Sequence, residues 1–158
     1  MGENLDKKLY RFSVGQIITD MFYRGMPAKR SDGLNGSILH YRLGFTNDQV
    51  YCRYLELSDA YVLLCGAPDR ISLEDKLYVD ELKTTYSNSI DKMKRVGETQ
   101  LQLYMFITGI TDGRLYIYLK DQKRLLDPIH YKYDELKVYD IMYKYLAMKK
   151  YLEEMVNK

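Results

Sequence analysis

Two short segments hold the residue types that can do chemistry in this chain. Gly66-Ala67-Pro68-Asp69 supplies one carboxylate. Glu81-Leu82-Lys83, which begins twelve residues after that aspartate, supplies a second carboxylate and a lysine. Both lie near the ends of strand-like runs joined by a short turn. Two acids and a cation so placed can hold a divalent metal ion and a water beside a phosphodiester.

Strand parity sharpens the pattern. Leu77, Val79, Glu81 and Lys83 share one face, while Tyr78, Asp80 and Leu82 share the other. A core face that ends in charge needs a reason, because unpaired buried charge is costly. A hairpin with a loop of two or three residues around Glu74-Asp75 sets Asp69 opposite Asp80 or Glu81. Asp69 and Glu81 then approach within a few ångströms and repel unless a cation sits between them. Oxygen donors of this kind suit Mg²⁺ or Mn²⁺. On this reading Asp69 and Glu81 hold the metal, and the backbone carbonyl of Leu82 adds a ligand. Lys83 orients the attacking water or stabilises charge developing on the phosphate. Asp80, on the opposite face, is set aside. His40 can supply an imidazole ligand, which favours Mn²⁺. Gln100 and Tyr104, four apart on one helix face, can reach a phosphate or a bound strand.

The elements that must position these residues follow from pattern. Ser13 and Gln16 have capping-box spacing, and Ile17, Ile18, Met21 and Phe22 continue a helix over about 13–24. Residues 24–36 read as a loop. A short helix follows, capped by Asn35, with Ile38, Leu39 and Leu43 on its apolar side and Gly44 at its end. Three strands come next, at 50–57, 60–71 and 77–84, the second apolar on both faces. A helix over about 91–108, a strand over 114–120 and a long helix from Asp134 complete the order. The long helix carries the stripe Leu136, Tyr139, Ile141, Met142, Tyr145, Leu146 and Met148. This is one mixed α/β sheet flanked by helices.

Composition narrows the classes. The 158 residues are enough for one domain, with a helical part over about 1–44, a catalytic core over about 45–120 and the C-terminal helix over about 134–157. Hydrophobic residues make up 46% and charged residues 29%, and no apolar run is long enough for a membrane span. The polar start from Met1 to Lys8 lacks a secretion-signal core, so a cytoplasmic setting is the expectation. A net charge of +2 neither demands nor excludes nucleic acid. Cys52 and Cys65 read as two small packed hydrophobes, with a disulfide not expected in a reducing cytosol. Two cysteines also fall short of the four ligands of an iron–sulfur cluster. The seventeen tyrosines are read mostly as half-buried packing residues.

Taken in order, His40, Gly66-Ala-Pro-Asp69, Glu81-Leu-Lys83 and Gln100-Leu-Gln-Leu-Tyr104 resemble the RecB-family branch of the PD-(D/E)xK nucleases. That branch shows a helical histidine, G-x-x-D, D/E-x-K and Q-x-x-x-Y on a restriction-endonuclease-like αβββαβ core. The resemblance spans about residues 36–104, and the element order carries it to about 120. It is greatest to small CRISPR-associated or viral RecB-like exonucleases, without the four-cysteine cluster and without a helicase portion. It implies His40, Asp69 and Glu81 as metal ligands, Lys83 as the catalytic lysine, and Gln100 and Tyr104 as residues that position DNA or the site. Basic residues extend the expected DNA groove: Lys29 and Arg30 on the early loop, Arg42 near His40, and Lys92, Lys94 and Arg95 before Gln100.

The implied function is a metal-dependent deoxyribonuclease using Mg²⁺ or Mn²⁺, an exonuclease on single-stranded DNA or DNA ends. The alternatives are an endonuclease on branched or flapped DNA, and a non-catalytic DNA-binding or assembly subunit that keeps the fold. A third reading is an interaction protein with a tyrosine-rich surface, whose C-terminal helix pairs with a second copy in a homo-oligomer.

Overall fold

The computed structural model describes residues 7–24 and 37–157. Most of the loop read over 24–36, with Lys29, Arg30 and the Asn35 cap, lies outside the described residues.

The chain opens on a strand that the sequence pattern hides. In β1 (Lys8–Ser13) Tyr10 and Phe12 face inward, but the apolar Leu9 is 46% exposed and breaks the alternation. Ser13 closes β1 and caps α1 (Val14–Phe22), its hydroxyl accepting from the Gln16 N–H at 3.0 Å. Val14, Ile17 and Ile18 are the buried face of that helix. Residues 37–42 form a short helix, α2. Its end is a Schellman motif: Phe45 N–H reaches His40 O at 2.8 Å and Gly44 N–H reaches Tyr41 O at 3.1 Å. Gly44 takes the left-handed conformation this requires, with φ +81°.

The strands follow as β2 (Tyr51–Glu56), β3 (Ala60–Gly66), β4 (Arg70–Leu73) and β5 (Leu77–Thr85). A 3₁₀ turn at Ser87–Ser89 leads into α3 (Ile90–Thr108). Then come β6 (Asp112–Leu119), the short strands β7 (Arg124–Leu125) and β8 (Ile129–Lys132), and α4 (Glu135–Val156). Asp134 caps α4 by accepting from the Leu136 N–H at 3.1 Å.

One expectation needs correction. Residues 60–71 are not one central strand. Ala67-Pro68-Asp69 interrupts them, as a proline without an N–H does in a ladder. The two halves join different sheets. β3 lies between β1, parallel, and β2, antiparallel. β4 pairs antiparallel with β5, and β5 pairs parallel with β6. The far side of β6 is covered by β7 and β8 in turn. With β3 and β4 counted as one broken strand, α2 to β6 follow the αβββαβ order.

The mixed sheets are flanked by helices, and one apolar cluster runs from Tyr10 to Leu146. The sheet side chain Leu115 meets α3 at Gly97, and the buried Gln102 of α3 bridges Lys132 O and Asp134 N–H at 2.8 Å each. α4 buries Val138, Met142, Tyr145 and Leu146. Leu136, placed on the stripe by spacing, is instead 81% exposed beside the cap. No helix among the described residues is long and apolar enough to cross a membrane.

The cysteines also differ from expectation. Cys52 and Cys65 are direct cross-strand partners of β2 and β3 and form a disulfide, with Cα atoms 4.1 Å apart. Only the register of two strands makes them neighbours.

Candidate active site

The hairpin of β4 and β5 closes through the three residues Glu74–Lys76, with Leu73 opposite Leu77 and Arg70 opposite Asp80. One step further along this register, Asp69 comes opposite Glu81, one of the two partners that a loop of two or three residues allows.

Asp69 sits in the break between β3 and β4 and is fixed from several sides. Its Oδ2 accepts from the Leu82 N–H at 2.8 Å and lies 3.1 Å from His40 Nε2. Burial alone would raise the Asp69 carboxyl. The His40 hydrogen bond and charge, with the Leu82 N–H, outweigh it and hold the carboxyl below its ordinary range.

Glu81 behaves oppositely. It is 2% exposed, its Oε1 lies 3.4 Å from Lys83 Nζ, and its Oε2 is buried with no hydrogen-bond partner. Burial, then the charge of Asp69, push Glu81 well above the ordinary carboxylate range, while Lys83 pulls the other way. A buried orphan oxygen beside an ionised carboxylate is an arrangement that a cation would relieve.

Gln100 and Tyr104 reach this place from α3. Both are buried, and Gln100 Nε2 donates to the Tyr104 hydroxyl at 3.2 Å. Gln100 Oε1 is the other buried side-chain atom left without a partner among the described residues. Burial, then the charges of Glu81 and Asp69, push the Tyr104 hydroxyl up.

Gly66 has a steric role here. A Cβ at this position would lie 2.9 Å from Val14 Cγ2 and 3.0 Å from Tyr104 Cε1. The glycine and the tyrosine of the separated motifs are thus packed against each other.

His40 touches Asp69 rather than completing a three-ligand cluster. Among the described residues no three His, Cys, Asp or Glu side chains converge as a metal site. The residues present nonetheless fit Mg²⁺, which is commonly held by one or two carboxylates with waters and substrate phosphate oxygens. Lys94 and Arg95 are exposed on the first half of α3, and none of the site's hydrogen bonds or ion pairs involves them. Lys92 lies over the Tyr23 ring, 4.7 Å from its centroid. Arg42 is exposed on α2, two residues from His40.

The sequence reading misses Asn47, Arg70 and Arg114, and sets Asp80 aside. Asn47 forms an Asx turn, its Oδ1 accepting from the Gln49 N–H at 3.1 Å, and its Nδ2 donates to Pro68 O at 2.9 Å. It thereby clamps the loop that carries Asp69. Asp80, on the opposite face, is fully buried and binds Arg70, Ser72 and Arg114 at 2.6–3.0 Å. Arg114 also pairs with Glu74. Burial would raise Asp80, but Arg114, Ser72 and Arg70 together hold it below its ordinary range. Arg70 further stacks over the Phe45 ring, 3.9 Å from its centroid, tying the end of α2 to the strand after Asp69. A buried acid in mid-strand was the available signal; the identity of its partners depended on the β5–β6 register.

No family model matches the chain, and no curated protein matches it in sequence. Solved structures do match it. SSO0001 superposes with a TM-score of 0.67 at 17% identity, covering 87% of this chain and 75% of that one. A phage-related exonuclease from Haemophilus somnus 129PT superposes with a TM-score of 0.53 at 12% identity, covering 91% of this chain and 81% of that one. At these identities the likeness is one of fold, and the mixed α/β arrangement around Asp69 and Glu81 is a fold that the phage-related exonuclease shares.

Proposed function

We propose that this chain is a metal-dependent deoxyribonuclease of the PD-(D/E)xK type, using Mg²⁺ or Mn²⁺ and acting on single-stranded DNA or DNA ends. The observation that carries the reading is the buried acid pair Asp69–Glu81, with an orphan Glu81 oxygen and Lys83 alongside. The fold in common with a phage-related exonuclease supports it.

Asp69 and Glu81 would hold the metal. The N–H of Leu82 faces Asp69, and the N–H and C=O of one strand residue point to the same side, so its carbonyl faces the same gap. A bound ion would lower the pKa of its water, making hydroxide available to attack, and would polarise a phosphate oxygen. The chain's own residues do the rest. His40 and Leu82 fix the rotamer of Asp69. Lys83 places a positive charge where negative charge develops on the phosphate. Gln100 and Tyr104 form the buried wall behind the acids.

The test is cleavage of end-labelled linear DNA, single- and double-stranded, with Mg²⁺ or Mn²⁺. Wild type should degrade it, and Lys83→Ala should fall to background. Equal, background-level products from both would refute catalysis and leave the non-catalytic DNA-binding reading. Cutting of covalently closed circles would assign an endonuclease.

A further inference from the structure

A second feature lies on the sheet face turned away from α3. Leu115, Ile117 and Leu119 of β6 are buried toward the helix side, so Tyr116 and Tyr118 take the other face. There Ile38, Arg42, Tyr86, Tyr118, Lys120 and Lys123 line a groove of about 470 Å³. Its lining holds three cations and no carboxylate among the described residues. Among the described residues none of the three forms an ion pair. The adjacent Asp121 is turned away, accepting from the Ser87 hydroxyl at 2.6 Å and its N–H at 3.1 Å. Lys120 lies over the Tyr86 ring, 5.6 Å from its centroid, and that tyrosine is 56% exposed. Lys123 occupies the left-handed region with φ +48°, where glycine or asparagine would sit with less strain.

Two elements border both the groove and the acid pair, which lie on opposite faces of the sheet. α2 carries His40 between Ile38 and Arg42. β5 carries Glu81 and Lys83 and runs directly into Tyr86, which is three residues, roughly 10 Å, beyond the lysine.

We propose that this groove binds single-stranded DNA, with Tyr86 and Tyr118 as stacking platforms for bases and Arg42, Lys120 and Lys123 on phosphates. An exposed ring face can stack only on a base that is not already stacked within a duplex, which selects the single strand. The direction of the strand, to or from the acid pair, rests on the nuclease reading; strand binding itself does not.

The experiment measures fluorescence anisotropy of a labelled 20-nucleotide oligo-dT, and of a duplex of equal length, with the full chain in EDTA. Salt is varied between 50 and 200 mM. Tyr86→Ala should weaken single-strand binding about fivefold or more at every salt concentration, as loss of one stacked base does. Tyr86→Phe should restore it. Lys120→Glu combined with Lys123→Glu should lower the slope of log affinity against log salt by about 1.4, the share of two phosphates. Lys144→Glu, an exposed lysine on α4, is the charge-matched control and is expected to leave the slope nearly unchanged. Thermal melts of each variant confirm folding. The proposal is overturned if the groove variants bind like wild type, lose no more than Lys144→Glu, or lose duplex and single strand equally. EDTA removes metal chemistry, so a null result here refutes the groove whether or not the chain cleaves DNA. Groove-dependent binding by a wild type that cleaves nothing would support the groove and refute the nuclease.

Discussion

Gly66 offers a test of the site's packing that is independent of any reaction. An added Cβ meets Val14 Cγ2 at 2.9 Å and Tyr104 Cε1 at 3.0 Å. Neither neighbour can yield easily. Val14 is fully buried and β-branched, and Tyr104 is held by Gln100. Gly66→Ala is therefore an overpacking change, costing about 1–3 kcal/mol. For a chain of this size, that lowers Tm by roughly 2–12 °C. Val14→Ala removes the closest clashing methyl and costs about 1.5–3 kcal/mol on its own. Together the two changes should cost less than their sum by about 1–2 kcal/mol, because the new methyl fills part of the space that Val14 leaves. The contact with Tyr104 keeps the rescue incomplete. Urea denaturation of the four proteins gives the coupling energy directly. Additivity within about 0.4 kcal/mol would refute the proposed close packing of Gly66 against α1.

Four further outcomes are expected. Glu81 is raised by burial and by Asp69, so it holds a proton above the pH at which free glutamate loses one. Mn²⁺ binding should then release a proton, and affinity should rise with pH until the raised value is passed. Titration calorimetry in two buffers of different ionisation enthalpy should show this, and identical heats would contradict it. Since the folded-state pKa is the raised one, Glu81 contributes stability at low pH that is lost as pH climbs through that value. Glu81→Gln should accordingly stabilise the metal-free protein at neutral pH, with the gain vanishing on acidification below about 4. Arg114→Ala leaves the buried Asp80 with only Arg70 and Ser72. The cost should be about 3 kcal/mol, the low end for breaking a buried pair, and Asp80→Asn should recover part of it. A melt within 2 °C of wild type, on the order of 0.5–1 kcal/mol, would sink that account. Reducing Cys52–Cys65, which closes a loop of sequence separation 13, should cost about 3 kcal/mol by chain entropy, and an unchanged urea midpoint in dithiothreitol would argue against the bond.

The hairpin of the candidate site was legible because its information is local. Alternation fixed which face Glu81 occupies, and a three-residue loop fixed what stands across from it. The helix ends at Ser13 and Asp134 were equally local, each written in one capping side chain. Non-local pairings were not legible. β1 acquires its identity only beside β3, the disulfide needs the β2–β3 register, and the partners of Asp80 come from β4 and β6. Pro68 did signal the break after Gly66, but the apolar run leading into it concealed it.

Arg70 has a bearing on how portable such a centre is. Its guanidinium faces Phe45 at the end of α2 and bonds Asp80 at 2.9 Å, one residue along the chain from Asp69. None of Arg70, Phe45 or Asn47 belongs to the recognisable motifs, yet they set where His40 stands and how the Asp69 loop is aimed. Transplanting the four motifs alone onto another sheet would carry the reactive groups without their alignment. The smallest unit that could be moved intact is the stretch from α2 through β6, which includes α3 with Gln100 and Tyr104 and the strand that supplies Arg114.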